Sequence, residues 1–186
     1  MVPPQTNEKS EPHWSPSEEA LGLSQRKAAS VANRFPTAVV LGSDTLINLN
    51  GQKIGKPENK TAARRILGEL RGRTHEVLTG VVMLQRASGK SIAWVEAVKV
   101  TMRSFSDAEL DAYASSQEPL DKAGAYSLQG HGRSLIERLE GDYLAAVGLP
   151  LKAVANGLRS LGVPVTVDVD KLYRARDVLN WQTFPH

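Results

Sequence analysis

The sequence predicts an α/β (mixed α+β) domain in which helices flank a central mixed sheet that contains one long hairpin. Helical and strand-like segments alternate along the chain, which favours this class over an all-helical or all-β fold. Two long strand-like segments follow each other directly, and such a hairpin argues against a purely parallel sheet. The length of 186 residues, 41% of them hydrophobic, suits one domain with a small appendage.

Helices are predicted where apolar residues recur at helical spacing behind a capping residue. Ser15 can cap the first helix, with Pro16 at its first position and Glu18 completing a capping box. Ser106 and Glu109 form the same pattern before a later helix. The predicted helices cover residues 17–33, 59–70, 106–115 and 150–161.

Strands are predicted where β-branched and apolar residues run between turn signals. Asn50 and Gly51 form the strongest two-residue signal for a tight hairpin turn. Residues 42–45 interrupt the first apolar run, so a short strand is expected on either side of them. The predicted strands cover residues 37–41, 46–49, 52–55, 75–85, 91–103, 134–140 and 163–169.

The chain divides into three expected regions: an extended arm over residues 1–14, a domain over residues 15–162 and a tail over residues 163–186. The arm is polar and rich in proline, so it does not have the apolar core of a signal peptide. No apolar run approaches the roughly 20 residues that a membrane helix needs. We therefore expect a cytoplasmic protein without a membrane partner.

Composition excludes several classes of function. The absence of Cys removes thiolate catalysis, Cys-ligated zinc, iron–sulfur clusters and a disulfide framework. Lys and Arg number 23 against 20 Asp and Glu, a net charge of only +3. Because no long basic run accompanies this small excess, the sequence argues against nucleic acid as a partner.

Asp44 is the first candidate for chemistry because it follows an apolar run and lies between Ser43 and Thr45. In α/β sheets, ligands usually bind at the carboxyl ends of strands. A carboxylate beside a hydroxyl at such an end can bind a hard divalent cation or take a proton from water. The same residue types also form ordinary turns, so both interpretations stay open.

Two further segments are candidates for ligand binding. Lys56 lies between Gly55 and Pro57, where it suits a phosphate group, and an exposed loop lysine is the ordinary alternative. Residues 121–132 combine several glycines with an acid, a base and Gln129, whose amide can both donate to and accept from a base edge. A surface loop without a ligand is the alternative for this segment.

These segments together resemble the Maf family of nucleoside triphosphate pyrophosphatases, over about residues 7–161. The resemblance rests on the order and spacing of its motifs, because any one of them alone is weak. The motifs are residues 42–45 (Gly-Ser-Asp-Thr), 55–57 (Gly-Lys-Pro), 70–75 (Leu-Arg-Gly-Arg-Thr-His), 79–80 (Thr-Gly), 118–126 (Glu-Pro-Leu-Asp-Lys-Ala-Gly-Ala-Tyr), 129–130 (Gln-Gly), 140–141 (Glu-Gly) and 147–151 (Val-Gly-Leu-Pro-Leu). The Asp-Lys-Ala-Gly and Gln-Gly segments are similar to those of the family branch that acts on dTTP and UTP, rather than the branch that acts on 7-methyl-GTP.

The resemblance implies a Maf/inosine-triphosphatase-like fold and hydrolysis of a nucleoside triphosphate to the monophosphate and pyrophosphate (EC 3.6.1.9), with Mg²⁺ or Mn²⁺. It also suggests a housecleaning or cell-division-arrest role, with a homodimer as an open alternative. Asp44 matches the catalytic base, and Glu8 matches an acidic residue that holds the metal together with Asp44. Thr45 and Gln129 match positions linked to substrate choice. The basic positions near the triphosphate are matched by Lys27, Lys56 and Lys122.

The sequence departs from the family in its N-terminal region. Family members begin with an apolar strand and a Ser-x-Ser-Pro-Arg-Arg loop that contacts the triphosphate, and no Ser-Pro-Arg segment occurs in this sequence. Two interpretations follow: an active enzyme, or a truncated, non-catalytic protein that binds nucleotides or regulates. A missing strand is expected to leave an unpaired sheet edge.

Overall fold

The computed structural model describes residues 2–4, 6 and 10–175. The described helices are α1 (Pro16–Ala32), α2 (Lys60–Leu70), α3 (Asp107–Ala114), α4 (Tyr143–Val147), α5 (Leu151–Ser160) and α6 (Val169–Arg174). The described strands are β1 (Val40–Leu49), β2 (Gln52–Ile54), β3 (Thr74–Gln85), β4 (Lys90–Met102) and β5 (Ile136–Glu140). Short 3₁₀ turns cover Glu118–Asp121, Ala123–Ala125 and His131–Leu135. No helix of this described part is long and apolar enough to cross a bilayer.

One five-stranded sheet forms the centre of the fold, with the strand order β2-β1-β3-β4-β5. The long β3–β4 hairpin and the flanking helices confirm the predicted class. The prediction of mixed strand directions is wrong, because every pairing in the described sheet is antiparallel. Asn50 and Gly51 have the positive φ values of 53° and 86° that a tight β1–β2 hairpin turn requires.

The two faces of the sheet are covered by different helices. Along β3, Val82 and Leu84 pack against Ala28 of α1, while Val81 and Met83 pack against α5 on the opposite face. This division follows from strand geometry, in which successive side chains point to opposite faces. The largest core cluster joins the α5 face to α2, α3 and α4.

Helix α1 lies unusually close to the sheet because glycines face it. A Cβ atom built on Gly80 would lie 2.3 Å from the carbonyl oxygen of Ala20, and one on Gly42 would lie 2.4 Å from that of Ser24. The Ser24 hydroxyl also donates to the Gly80 carbonyl oxygen at 2.8 Å. The predicted capping box at Ser15 and Glu18 fixes where this helix begins.

Two local predictions are wrong, and one helix was not predicted. The two strands expected around residues 42–45 are a single strand, because β1 pairs with β3 through this segment without a break. Helix α4 was not predicted; Asp142 caps it, accepting from the Leu144 N–H at 2.9 Å. Residues 163–169 do not form the expected strand: Asp168 accepts from the Lys171 N–H at 2.9 Å and caps α6, which begins at Val169.

Candidate active site

Lys27 and Asp44 form a partly buried ion pair between α1 and β1. Lys27 Nζ lies 2.5 Å from Asp44 Oδ1, and the two side chains are 20% and 15% exposed. A pair at this depth is screened far less by water than a surface pair. The structure therefore brings together the predicted catalytic base and one predicted phosphate-binding lysine.

The position of Asp44 corrects its expected place at the end of a strand. Asp44 lies within β1, directly opposite Gly80 of β3. Its side chain is on the face that α1 covers, since its register partner Gly80 contacts that helix. The sequence predicts an interruption of the strand at residues 42–45 because no apolar alternation continues through them, and only the pairing with β3 shows that the strand runs on.

A pocket of about 250 Å³ lies on the other face of the sheet. Thr45 lines it, because consecutive residues of a strand face opposite sides. Apolar side chains such as Ile47, Val77 and Leu128 supply part of its wall. The predicted residues that line it are Thr45, Lys56, Lys122 and Gln129. Lys27 and Asp44 do not line this pocket, so the predicted site residues form two groups.

A relay of hydrogen bonds joins the Thr45 hydroxyl to Thr79 and then to the backbone of Ala145. Thr45 Oγ1 lies 2.8 Å from Thr79 Oγ1, and the Thr79 hydroxyl donates to the Ala145 carbonyl oxygen at 2.7 Å. Thr79 is only 1% exposed, so its hydroxyl must find its partners within the protein. The relay connects β1, β3 and α4 next to the pocket.

The two lysines of the pocket come from loops that contact each other. The Gly124 N–H donates to the Gly55 carbonyl oxygen at 3.1 Å, which joins the Lys56 loop to the Lys122 loop. Lys122 Nζ donates to Asp121 Oδ2 at 2.6 Å, and this contact lowers the pKa of the exposed Asp121 carboxyl. Where they line the pocket, Lys56 is exposed and Lys122 is half-buried.

Glu118 holds the loop that carries Gln129. Its carboxylate accepts the N–H groups of His131 at 2.9 Å and Gly132 at 3.0 Å, and the Tyr113 hydroxyl at 3.1 Å. Partial burial opposes the charge, but these donors together lower the pKa of Glu118. The loop is thereby ordered by an ionised carboxylate rather than left as an unattached surface segment.

A buried histidine supports the inner wall of the pocket. His75 is 2% exposed, and its Nε2 lies 2.7 Å from the hydroxyl oxygen of Tyr126, which lines the pocket. Desolvation lowers the pKa of His75 to about 4, so the ring is neutral near pH 7. Burial also raises the pKa of Tyr126, which keeps its hydroxyl protonated.

In the described part of the chain, one edge of the sheet is unpaired beside both groups of site residues. Strand β2 pairs with β1 only from Ile47 to Leu49. Among the described residues, the part of β1 from Val40 to Leu46 pairs with β3 alone. Asp44 and Thr45 lie on this stretch, so a ligand crossing the edge can reach both faces.

Of the two predicted metal ligands, the described residues include Asp44. Across residues 2–4, 6 and 10–175, no group of three or more His, Asp or Glu side chains could hold a metal ion. Asp44 is a hard oxygen donor of the kind that Mg²⁺ takes. Glu8, the other predicted metal ligand, lies outside the described residues.

Sequence reasoning assigned no role to Thr79, Glu118 or Tyr113. Thr79 carries a usable signal, since a polar residue within the apolar run of β3 must find a buried partner. Glu118 gives no local signal, because its N–H donors lie 13 and 14 residues further along the chain. Only the folded loop shows that contact.

Comparisons with known proteins place these features in a family context. A family model described as "Maf-like protein" matches residues 1–161. The chain is 40% identical over 152 residues to a protein of Bacillus anthracis (strain CDC 684 / NRRL 3495) named dTTP/UTP pyrophosphatase. The aligned residues cover 82% of this chain and 78% of that protein. The chain is 39% identical to proteins of the same name from Bacillus cereus (strain AH820) and Bacillus thuringiensis subsp. konkukian (strain 97-27), with the same coverage.

Proposed function

This chain belongs to the Maf family, and from that premise we propose that it hydrolyses a pyrimidine nucleoside triphosphate, dTTP or UTP, to the monophosphate and pyrophosphate. The observation that carries the proposal is the partly buried Lys27–Asp44 pair, one strand residue away from a pocket lined by Thr45 and Gln129. A carboxylate beside a base-sized pocket provides the two elements that this reaction needs. The names of the relatives support the choice of substrate.

The base of the nucleotide is assigned to the pocket. Its volume of about 250 Å³ suits a small heterocycle, and its apolar wall can pack against the ring faces. Thr45 and Gln129 offer polar groups that can hydrogen-bond the edge of the base. Lys56 and Lys122, which also line the pocket, can meet negative charge on the phosphates.

The triphosphate is assigned to the edge of β1 beside Asp44 and Thr45, where it can pass from the pocket towards Lys27 and Asp44. Asp44 takes a proton from a water molecule, whose oxygen bonds to the α-phosphorus. The bond between that phosphorus and its bridging oxygen breaks, and pyrophosphate leaves with the oxygen. Lys27 fixes the orientation of the Asp44 carboxylate, and its positive charge offsets negative charge nearby.

A divalent cation, Mg²⁺ or Mn²⁺, is part of the proposal. Mg²⁺ is usually held by one or two carboxylates together with substrate phosphates, so Asp44 and a bound triphosphate fit this donor pattern. Glu8 is the second proposed ligand. When bound, the ion neutralises phosphate charge and polarises the phosphoryl group.

The reaction class proposed is that of the nucleoside triphosphate diphosphatases (EC 3.6.1.9). A cytoplasmic location, a homodimeric state and a role in removing unwanted nucleotides or arresting cell division complete the proposal. Membership of the Maf family supports these three proposals.

The test measures pyrophosphate release from UTP and dTTP with Mg²⁺, for the wild type and for Asp44→Asn. Loss of a general base typically costs about 10²- to 10⁴-fold in turnover, and we expect a loss of that size. Asp111→Asn is the matched control, because Asp111 pairs with Arg64 at the exposed surface. Full activity of Asp44→Asn would refute Asp44 as the base. Nucleotide binding by the wild type without turnover would support a non-catalytic nucleotide-binding protein instead.

A further inference from the structure

The hydroxyl relay behind Thr45 has a fixed direction. The Ala145 carbonyl oxygen can only accept, so its 2.7 Å contact with Thr79 Oγ1 uses the single proton of Thr79. Thr79 therefore accepts from Thr45 across the 2.8 Å contact between their oxygens. The proton of Thr45 is directed into the protein, away from the pocket.

This direction decides what Thr45 offers to a ligand. A threonine hydroxyl has one proton and two lone pairs. With its proton committed to Thr79, Thr45 presents only lone pairs to the pocket that it lines. An adaptable hydroxyl, which could donate or accept, becomes a hydrogen-bond acceptor alone.

We propose that Thr79 is a specificity-determining positioning residue, which makes Thr45 an acceptor and so selects bases that carry a ring N–H donor. Among pyrimidines, uracil and thymine have that donor at N3, whereas N3 of cytosine is an acceptor. An acceptor facing an acceptor leaves both groups unpaired, which is the costly mismatch in a partly desolvated pocket. The inference rests on the proposed function, because it concerns the base of the same nucleotide.

Gln129 can also hydrogen-bond the base, but it does not select uracil or thymine over cytosine. Its amide can both donate and accept, and it can rotate to exchange the two. A freely adaptable group cannot distinguish uracil from cytosine. Thr45, whose direction is fixed by a residue 1% exposed, can do so.

The experiment compares kcat/KM for UTP and CTP in the wild type and in Thr79→Val. The valine removes the hydroxyl at nearly constant shape and frees the Thr45 proton to turn towards the pocket. We expect the UTP:CTP ratio of kcat/KM to fall roughly tenfold, the effect of one ordinary hydrogen bond. Thr79→Ser retains the hydroxyl and should keep the wild-type ratio.

Thr101→Val is the matched control. It removes an equivalent hydroxyl contact, in which Thr74 Oγ1 and Thr101 Oγ1 lie 2.9 Å apart on the same sheet, outside the pocket. Its UTP:CTP ratio should equal that of the wild type. Because both substrates are assayed on one preparation, the ratio does not depend on the fraction of folded protein.

A wild-type enzyme that hydrolyses UTP while Thr79→Val keeps its UTP:CTP ratio would overturn the inference and leave the proposed function standing. A wild type that hydrolyses neither nucleotide would overturn the proposed function itself. Should Thr79→Val fail to fold, N3-methyl-UTP serves as the second measurement on the wild type. We expect it to be hydrolysed much more slowly than UTP, and equal rates would refute the requirement for an N3–H group.

Discussion

Replacing Gly80 by alanine should push helix α1 away from the sheet at the level of Asp44. The new Cβ atom would lie 2.3 Å from the Ala20 carbonyl oxygen, and 2.8 Å from the Leu21 nitrogen. Real Cβ atoms essentially never approach closer than 3.0 Å, so the backbone of α1 must move by about 0.7 Å or more. Gly80 is also the register partner of Asp44.

Both stability and turnover should fall in Gly80→Ala. Overpacking of a well-packed interior costs about 1–3 kcal/mol, which lowers the melting temperature by roughly 3–10 °C in a domain of this size. Since α1 carries Lys27, its displacement also separates the Lys27–Asp44 pair. Misplacement of a catalytic group by about 1 Å can cost as much as 10²-fold in rate.

Differential scanning calorimetry and pyrophosphate release from UTP measure the two effects. Gly68→Ala is the matched control, because Gly68 lies on the exposed face of α2 and a Cβ atom there would have no neighbour within 4 Å. That variant should gain up to about 1 kcal/mol from helix propensity and keep its activity. A Gly80→Ala protein with the melting temperature and kcat of the wild type would refute the close contact between α1 and β3.

Two other predictions concern the walls of the pocket. Glu118→Gln replaces one acceptor oxygen with an amide donor that faces an N–H group, so the Gln129 loop should loosen and KM for UTP should rise roughly tenfold. Glu137→Gln, at an exposed residue, is the control. An unchanged KM in Glu118→Gln would contradict the role of Glu118. Because burial lowers the pKa of His75 from 6.5 to about 4, the unfolded chain binds a proton that the folded protein does not bind in this interval. The contribution of neutral His75 to the free energy of unfolding is therefore fully present above pH 6.5, and about 3 kcal/mol of it is lost as the pH approaches 4. Urea unfolding between pH 7 and pH 4.5 measures this, and a His75→Gln variant with an equally steep loss would disprove it.

The features that local sequence patterns determine were predictable. Both capping boxes, at Ser15 and Ser106, occur as expected, and so do the Asn50–Gly51 turn and the long hairpin. These features depend on residues within a few positions of one another, where hydrogen-bonding and φ preferences act directly. The family resemblance, confirmed by the match over residues 1–161, came from motif order.

The features that depend on contacts distant in sequence were not predictable. β1 continues through residues 42–45 because β3 pairs with it there, and no local propensity reports that partner. Glu118 holds the Gln129 loop only after the chain has folded back on itself. The expected strand over residues 163–169 does not form for the opposite reason: Asp168 lies within an apolar run but is a local cap, and α6 begins directly after it.

The continuity of β1 explains how one strand can serve both the base and the phosphates of a nucleotide. If residues 42–45 formed a turn, Asp44 and Thr45 could face one cleft, and substitution of either would affect the same contacts. In a strand they face opposite sides, with Asp44 against Lys27 and Thr45 against Thr79. Loss of the Thr79 hydroxyl should therefore change the choice of base with little effect on turnover of the preferred substrate. Loss of the Asp44 carboxylate should lower turnover of every nucleotide by about 10²- to 10⁴-fold and leave the order of preference intact. The two variants therefore separate recognition from chemistry on either face of β1.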